Sequence, residues 1–199
     1  MRYARGMAKL YFYYASMNAG KSTNLLQADF NYRERGMTTM LWTSQIDDRD
    51  RGGWINSRIG LAEPAKVYGR GTDMFAQAHA RVLEGPLACI LIDEAQFLTP
   101  EQVWQVARIA DELNVPVLCY GLRTDFRGQL FPGSAVLLGI ADTLVELKAV
   151  CHCGRKATMN LRIDEQGNAI MEGEQIGIGG NESYVALCRR HFSEAMNGR

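Results

Sequence analysis

The sequence has no excess of charge of either sign and no apolar run long enough for a membrane. Its 199 residues contain 22 Lys and Arg and 22 Asp and Glu, so the formal net charge is zero. A chain without a basic field is a poor candidate for a general nucleic-acid coat. Its apolar runs, such as residues 135–138, fall far short of the ~20 residues that a bilayer requires. We therefore expect no nucleic-acid partner and no membrane segment.

Internal repeats and low-complexity segments are missing too. At 47% hydrophobic and 22% charged residues, the composition is that of a globular protein, which excludes disordered and fibrous classes. The five Cys are an odd number, and three of them are grouped near the end of the chain beside a His. This grouping favours a metal site over a disulfide framework and indicates a cytoplasmic location.

Strand and helix patterns alternate along the first three quarters of the chain. The predicted strands are residues 10–14, 38–43, 65–68, 87–92 and 115–120, and the predicted helices begin after Ser22 and cover 72–83 and 99–113. This alternation predicts an α/β fold with a mostly parallel sheet and ligands beyond the carboxyl ends of its strands. The pattern then changes to a cysteine cluster and a hairpin around residues 164–168. We predict two domains, 1–148 and 149–199.

Residues 15–22, Ala-Ser-Met-Asn-Ala-Gly-Lys-Ser, lie between the first strand and the first helix. Small residues allow consecutive backbone N–H groups to surround phosphate oxygens, while Lys21 can reach the terminal phosphates and the Ser22 hydroxyl can bind Mg²⁺. Ala15 occupies the position of the Gly that opens the strict motif, so a chance strand-to-helix turn is the alternative. The preceding strand and following helix favour nucleotide binding.

A second motif, residues 89–97, is an apolar strand that ends in Asp93 and Glu94. Asp93 is interpreted as the Walker B carboxylate that holds Mg²⁺ through water. Because successive strand side chains point to opposite sides, we predict that Glu94 faces an acceptor and serves as a base near the γ-phosphate. The alternative is a solvated strand end that carries two acids.

The chain contains two short pairs of candidate metal-binding residues, Cys151-x-Cys153 and Cys188-x-x-His191. A long intervening segment separates them. Such pairs are typical of a structural zinc site, in which four protein ligands leave no position for a reactive water. His152 is a competing donor, and the one-residue gap of the first pair is shorter than usual. Unligated thiols in a reduced protein are the alternative.

Together with the Ile178-Gly179-Gly180 sequence before Tyr184, these motifs resemble the type II thymidine kinase family, which is the bacterial and cytosolic type. The resemblance extends from Lys9 to His191. It implies transfer of the ATP γ-phosphoryl group to the 5′-hydroxyl of thymidine, which gives dTMP for deoxynucleotide salvage and DNA synthesis. It also implies a RecA-like P-loop core with helices on both faces of the sheet, and a small C-terminal zinc-binding domain that carries a lasso loop over the nucleoside.

The resemblance implies a role for each motif. Glu94 would be the proton acceptor and Lys21 a second catalytic residue. The implied zinc ligands are Cys151, Cys153, Cys188 and His191. The residues implied to bind ATP are Ala15, Ser16, Met17, Asn18, Ala19, Gly20, Lys21, Ser22, Asp93, Glu94, Ala95 and Gln96. Those implied to bind the nucleoside are Phe97, Phe126, Phe131, Ile176, Gly177, Ile178, Gly179, Gly180 and Tyr184.

The same resemblance implies ligands and an assembly state. The expected ligands are ATP with Mg²⁺, a structural Zn²⁺, thymidine or deoxyuridine as acceptor, and dTTP as a feedback inhibitor. The family further implies a homotetramer.

Two other functions share part of this motif set. A RecA-like ATPase or nucleic-acid motor would use Glu94 to activate water, but the neutral charge and the lack of a basic stripe with exposed aromatics oppose it. A zinc-containing regulatory module that binds ATP without turnover is the third hypothesis.

Overall fold

The computed structural model describes residues 6–46, 52–175 and 183–198. The helices in these ranges are α1 (Lys21–Arg33), α2 (Met74–Glu84), α3 (Pro100–Leu113), α4 (Pro132–Ile140) and α5 (Arg189–Met196). The strands are β1 (Leu10–Ala15), β2 (Thr39–Ser44), β3 (Trp54–Asn56), β4 (Ala62–Pro64), β5 (Lys66–Tyr68), β6 (Cys89–Ile92), β7 (Val117–Leu122), β8 (Thr143–Glu146), β9 (Ala149–Val150), β10 (Lys156–Ala157), β11 (Met159–Arg162) and β12 (Tyr184–Leu187).

Six strands form the central sheet in the order β5-β2-β6-β7-β1-β8. Every neighbouring pair in this sheet is parallel. Strand β7 lies between β1 and β6, so the segments that follow β1 and β6 flank the end of β7. The parallel sheet that the alternating pattern predicts is confirmed, and its carboxyl edge brings the two nucleotide motifs together.

Helices cover both faces of the sheet, as the RecA-like architecture requires. On one face, Met74 of α2, Val106 of α3 and Leu137 of α4 belong to a buried cluster with Phe12 and Trp42 of the sheet. On the opposite face, the buried cluster joins Leu25 and Leu26 of α1 to Ile55 of β3 and to the sheet residues Leu91 and Leu118. Strands buried on both faces explain the near-continuous apolar runs in the sequence.

Helix α3 begins at the predicted position. The backbone N–H of Gln102 donates to Thr99 Oγ1 at 3.2 Å, and the N–H of Thr99 donates to Gln102 Oε1 at 3.0 Å. This reciprocal capping box satisfies two N–H groups that would otherwise lack partners at the start of the helix.

The C-terminal segment contains two small antiparallel pairs, β9–β10 and β11–β12, together with α5. Its buried residues form a cluster of their own, which includes Leu161, Leu187 and Phe192. The predicted hairpin turn is present, since the backbone N–H of Asp164 donates to the carbonyl of Asn168 at 3.0 Å.

This segment packs against the residues that follow β1. Asn160 of β11 is 2% exposed, and its Oδ1 accepts a hydrogen bond of 2.6 Å from the backbone N–H of Met17. Its Nδ2 donates to the carbonyl of Thr124 at 3.2 Å. None of the helices within the described ranges has both the length and the apolar character needed to cross a bilayer.

Candidate active site

The loop between β1 and α1 has the backbone of an anion-binding turn. Gly20, which precedes the first residue of α1, has a φ of 76°, and Asn18 has a φ of 64°. Gly tolerates this left-handed conformation without the steric cost of a Cβ atom. Lys21 is 9% exposed and its Nζ donates to the carbonyl of Ser16 at 3.0 Å. The ammonium therefore lies along the loop, where the N-terminus of α1 also favours negative charge.

The Ser22 hydroxyl and the Asp93 carboxylate meet across the end of the sheet. Ser22 Oγ donates to Asp93 Oδ2 at 2.8 Å, and Asp93 is 2% exposed. Burial and the charge of Glu94 raise the pKa of Asp93 to about 7, although the Ser22 hydroxyl, the Glu94 N–H and Lys21 oppose this shift. Two oxygen donors at this position have the chemistry that Mg²⁺ prefers.

Glu94 does not lie in a strand, because β6 ends at Ile92 and Glu94 has a φ of 53°. The prediction that Asp93 and Glu94 point to opposite sides as successive strand residues is therefore wrong. Glu94 instead adopts a left-handed backbone conformation, which is unfavourable for a residue with a side chain. The Tyr68 hydroxyl donates to the Glu94 carbonyl at 2.8 Å and contacts the Asp93 carbonyl at 3.3 Å, which stabilises the turn.

The side chain of Glu94 has a fixed neighbour in Gln96. The Gln96 Nε2 donates to Glu94 Oε2, while its Oε1 accepts a hydrogen bond of 3.0 Å from the backbone N–H of Leu122. Gln96 is 1% exposed, so this pair of bonds lies in a protected environment. The Gln96 amide thus fixes the orientation of the Glu94 carboxylate at the carboxyl edge of the sheet.

Three of the predicted nucleoside-binding aromatic residues lie in the segments that follow β6 and β7. The rings of Phe97 and Phe131 are in edge-to-face contact, with centroids 5.9 Å apart and an interplanar angle of 88°. Phe126 is 1% exposed, and its ring has the guanidinium groups of Arg127 and Arg162 at 5.4 Å and 5.6 Å from its centroid. Phe97 and Phe131 therefore meet beside the turn that contains Glu94.

The remaining predicted nucleoside residues lie farther along the chain. Tyr184 opens β12 and is half-buried. Ile176, Gly177, Ile178, Gly179 and Gly180 lie outside the described residues.

The structure brings the four predicted metal ligands together. The ligand atoms of Cys151, Cys153, Cys188 and His191 all lie within 4.8 Å of one another. His191 Nδ1 is 3.3 Å from the Cys151 Sγ and 3.5 Å from the Cys188 Sγ, and the Sγ atoms of Cys153 and Cys188 are 3.9 Å apart. Three sulfur atoms and one nitrogen at such separations fit the tetrahedral shell of Zn²⁺.

The sequence offers His152 as an alternative metal ligand to His191, but the structure places only His191 in the group of four close ligand atoms. The Nδ1 of His152 is 3.8 Å from the Cys151 Sγ and its ring stacks on that of His191 at 4.2 Å, yet it is not one of the four mutually close ligands. Burial alone would raise the pKa of Cys151, but hydrogen bonds from the backbone of Cys153 and Cys188 and from His191 lower that pKa to about 5. A thiolate is the form that binds metal.

Two residues that bond the backbone of the site were not predicted, because no sequence pattern marks them. Tyr68 ends a three-residue strand, and Asn160 lies in the middle of β11. Neither belongs to a motif, and each acts on a segment that is remote in the chain, so only the packing of the elements reveals it.

A parallel sheet with a Gly-Lys-Ser loop after one strand and a buried Asp after another defines a P-loop nucleotide-binding protein. The family model for thymidine kinase matches residues 8–192. The chain is 69% identical over 190 residues to the thymidine kinase of Novosphingobium aromaticivorans, with 96% of this chain and 99% of that protein covered. It is 62% identical over 191 residues to the thymidine kinase of Zymomonas mobilis, again with 96% and 99% covered. The chain belongs to the thymidine kinase family, which confirms the resemblance.

Proposed function

We propose that this protein transfers the γ-phosphoryl group of ATP to the 5′-hydroxyl of thymidine, giving dTMP for deoxynucleotide salvage. The observation that carries the proposal is the meeting of the Lys21 loop, the Ser22–Asp93 pair and Glu94 at one edge of the sheet. Phosphoryl transfer requires positioning and charge stabilisation more than covalent chemistry, and these groups supply both.

ATP would bind with its phosphates in the loop of residues 15–22. The backbone N–H groups at the start of α1 and the Lys21 ammonium would then face the negative charge that develops on the transferred group. Ser22 and Asp93 would hold Mg²⁺, which when bound neutralises charge on the β- and γ-phosphate oxygens. Asp93 must be ionised for this role, and the approach of the cation favours that form. Ala95 and Gln96 complete the proposed ATP-binding set.

Glu94 would accept the proton of the attacking hydroxyl. A carboxylate is a weak base toward an alcohol, but a loose transition state needs proton removal only late in the reaction. Gln96 contributes by holding Oε2 of this carboxylate in one direction. The role of the protein at this step is therefore orientation of a base beside the phosphate loop.

The thymine base would bind beside Glu94. Phe97, Phe126, Phe131 and Tyr184 supply apolar faces, and Ile176, Gly177, Ile178, Gly179 and Gly180 would contact the base through their main chain. The contact of Phe97 with Phe131, directly after the Glu94 turn, supports this placement. Deoxyuridine lacks one methyl group, so discrimination against it should amount to about 1–3 kcal/mol at most.

Residues 149–199 would form a zinc-binding domain, with residues 1–148 as the ATP-binding kinase domain. The separate buried cluster of the C-terminal segment supports this division. A shell of three Cys and one His leaves no open position for substrate, so the metal would be structural. It would join the β9–β10 pair to α5. The two ends of the intervening segment, which contains the proposed lasso of residues 172–181, would thus be held together.

Three further features of the proposal rest on the family resemblance. A molecule such as dTTP joins a thymine base to a triphosphate, so it would occupy both subsites and inhibit the enzyme. A homotetramer and a cytoplasmic location complete the proposal, and light scattering on the purified protein tests the assembly state.

The test is an assay with purified protein, ATP, Mg²⁺ and each nucleoside in turn, with monophosphate formation as the readout. We expect thymidine-dependent product, and for Glu94→Gln a loss of roughly 10²–10⁴ in kcat with the KM for ATP retained. Glu165→Gln, at an exposed position in the 164–168 turn, is the matched control. Hydrolysis of ATP that depends on single-stranded DNA, without any thymidine product, would support the motor hypothesis instead. Tight ATP binding without turnover would support the regulatory module.

A further inference from the structure

Asn160 is a buried polar residue of β11 whose amide bonds two remote segments of the chain. It is 2% exposed, and its Oδ1 accepts a hydrogen bond of 2.6 Å from the backbone N–H of Met17. Its Nδ2 donates to the carbonyl of Thr124 at 3.2 Å. Met17 lies in the phosphate loop, residues 15–22, and Thr124 follows the neighbouring strand β7. One amide of the C-terminal segment therefore joins two loops at the carboxyl edge of the central sheet.

The direction of the Asn160 side chain follows from strand alternation. Leu161 belongs to the buried cluster of the C-terminal segment, and successive residues of a strand point to opposite sides. Arg162 shares the side of Asn160, and its guanidinium lies 5.6 Å from the centroid of the Phe126 ring in the segment after β7. This side of β11 is therefore the one that the C-terminal segment presents to the carboxyl edge of the sheet.

Two other contacts connect the phosphate loop to the C-terminal segment. Ser16 Oγ donates to the carbonyl of Ala157 at 3.4 Å, and Ser16 is 3% exposed. Ala19 packs against the buried cluster that includes Ala157. The C-terminal segment thus contacts the phosphate loop on both sides of residue 18, and the bond from Asn160 is one of three contacts.

The backbone of the phosphate loop requires support while no nucleotide is bound. Asn18 has a φ of 64°, and a residue with a side chain keeps such a conformation where neighbouring contacts hold it. The bond from Asn160 fixes Met17, which directly precedes this residue. The Lys21 ammonium fixes the loop from within, through its bond to the Ser16 carbonyl. A loop that is already held loses less conformational entropy when a ligand binds it.

We infer that Asn160 is a positioning residue for the phosphate loop, through which the C-terminal segment increases the affinity of the protein for the phosphates of ATP. The inference rests on the proposed function, in which residues 15–22 bind ATP. Without the bond to Met17, the empty loop would populate other conformations, and ATP would have to order it on binding. Because such coupling is reciprocal, bound nucleotide should in turn stabilise the C-terminal segment.

The experiment measures the dissociation constant for ADP with Mg²⁺ by titration calorimetry, since ADP binds without turnover. Asn160→Leu has a side chain of similar size that makes neither hydrogen bond, and we expect its Kd for ADP to be roughly five- to thirtyfold higher than that of the parent. Asn168→Leu is the matched control. It removes a hydrogen bond of 3.1 Å to Asp164 within the same segment and should leave the Kd unchanged.

Amide hydrogen exchange tests the mechanism in the same proteins. In the nucleotide-free parent the Met17 amide should be protected, whereas in Asn160→Leu it should exchange faster because its acceptor is absent. Exchange of the β11 amides should become slower when ADP is added to the parent, and this slowing should be smaller in the variant. A residue that only stabilises the fold would lower the Tm without these differences.

Asn160→Ala, which also removes both hydrogen bonds, provides the same measurements if Asn160→Leu does not fold. A parent-like Kd for ADP in a folded variant, or an equal loss of affinity in Asn168→Leu, would overturn the inference and leave the proposed function intact. An unaltered protein that binds neither ADP nor ATP would overturn both. Tight ADP binding with no phosphorylation of thymidine by the unaltered protein, and weaker ADP binding in Asn160→Leu, would support the inference and overturn the proposed function alone.

Discussion

Gln96 ties Glu94 to the end of β7, since one amide group bonds both the Glu94 carboxylate and the backbone N–H of Leu122. Strand β7 lies between β1 and β6, which precede the phosphate loop and Glu94 respectively. The proposed base is therefore held by a strand that neither nucleotide motif contains. We therefore predict that the side chain of Gln96 positions the proposed base for the reaction.

Gln96→Glu should lower kcat by roughly 10- to 100-fold. The new side chain has the same size and still accepts from Leu122, but it loses the donor to Glu94 and adds a like charge beside it. Steady-state kinetics with thymidine measure the effect. Gln27→Glu on the exposed face of α1 is the control, and wild-type kcat in Gln96→Glu would contradict the positioning role.

Asp93 should make stability depend on pH in the nucleotide-free protein. Burial and Glu94 raise its pKa from 3.8 to about 7, so the folded chain holds a proton that the unfolded chain releases between these values. The contribution of Asp93 to the free energy of unfolding therefore decreases as pH rises from about 4 to about 7. Above about pH 7 it decreases no further.

Asp93→Asn removes this titration. At about pH 8 we expect its Tm to exceed that of the parent by roughly 2–8 °C, whereas the difference should be small near pH 4. Mg²⁺-dependent kinase activity should also be lost, because Asp93 is the proposed metal ligand. Calorimetry of both proteins across this pH range measures the effect, and parallel Tm curves would show that Asp93 does not titrate as described.

Gly133 of α4 should not tolerate a methyl group. A Cβ at this position would lie 2.5 Å from the carbonyl oxygen of Leu98 and 3.0 Å from that of Gln96, both in the segment that follows Glu94. Backbone atoms move less easily than the end of a flexible side chain. Gly133→Ala should therefore lower the free energy of unfolding by about 1–3 kcal/mol, and it should lower kcat as well.

Gly139, in the same helix, is the matched position because an added Cβ there meets nothing within 4 Å. Gly139→Ala should be neutral or should stabilise the protein by about 0.5–1 kcal/mol, through the helix preference for Ala over Gly. Urea unfolding of both variants provides the comparison. Equal stabilities would mean that the contact of α4 with the Glu94 segment is loose.

Removal of a metal ligand should unfold the C-terminal segment before the kinase core. We expect about one zinc ion per chain in the parent protein and less in Cys153→Ala. The Tm of the transition that involves residues 149–199 should also be lower in this variant. Cys89→Ala, at a buried thiol of β6, should keep the zinc while losing some packing. Zinc content and calorimetry distinguish the two, and retention of full zinc by Cys153→Ala would exclude Cys153 as a ligand.

Much of the fold and site could be predicted from sequence, because the relevant signals are local. Alternating strand and helix patterns, the Gly20-Lys21-Ser22 turn and the Thr99 cap depend on backbone preferences within a few residues. The metal pairs are short-range patterns as well, and their chemistry restricts the ligands to Cys and His.

The tertiary structure alone decided which distant groups meet. The left-handed turn at Glu94 and the hydrogen bond between Gln96 and Leu122 depend on strand order and on the packing of remote segments. No spacing in one chain encodes such contacts directly, because each is the outcome of the whole sheet, its helices and the C-terminal segment folding against one another.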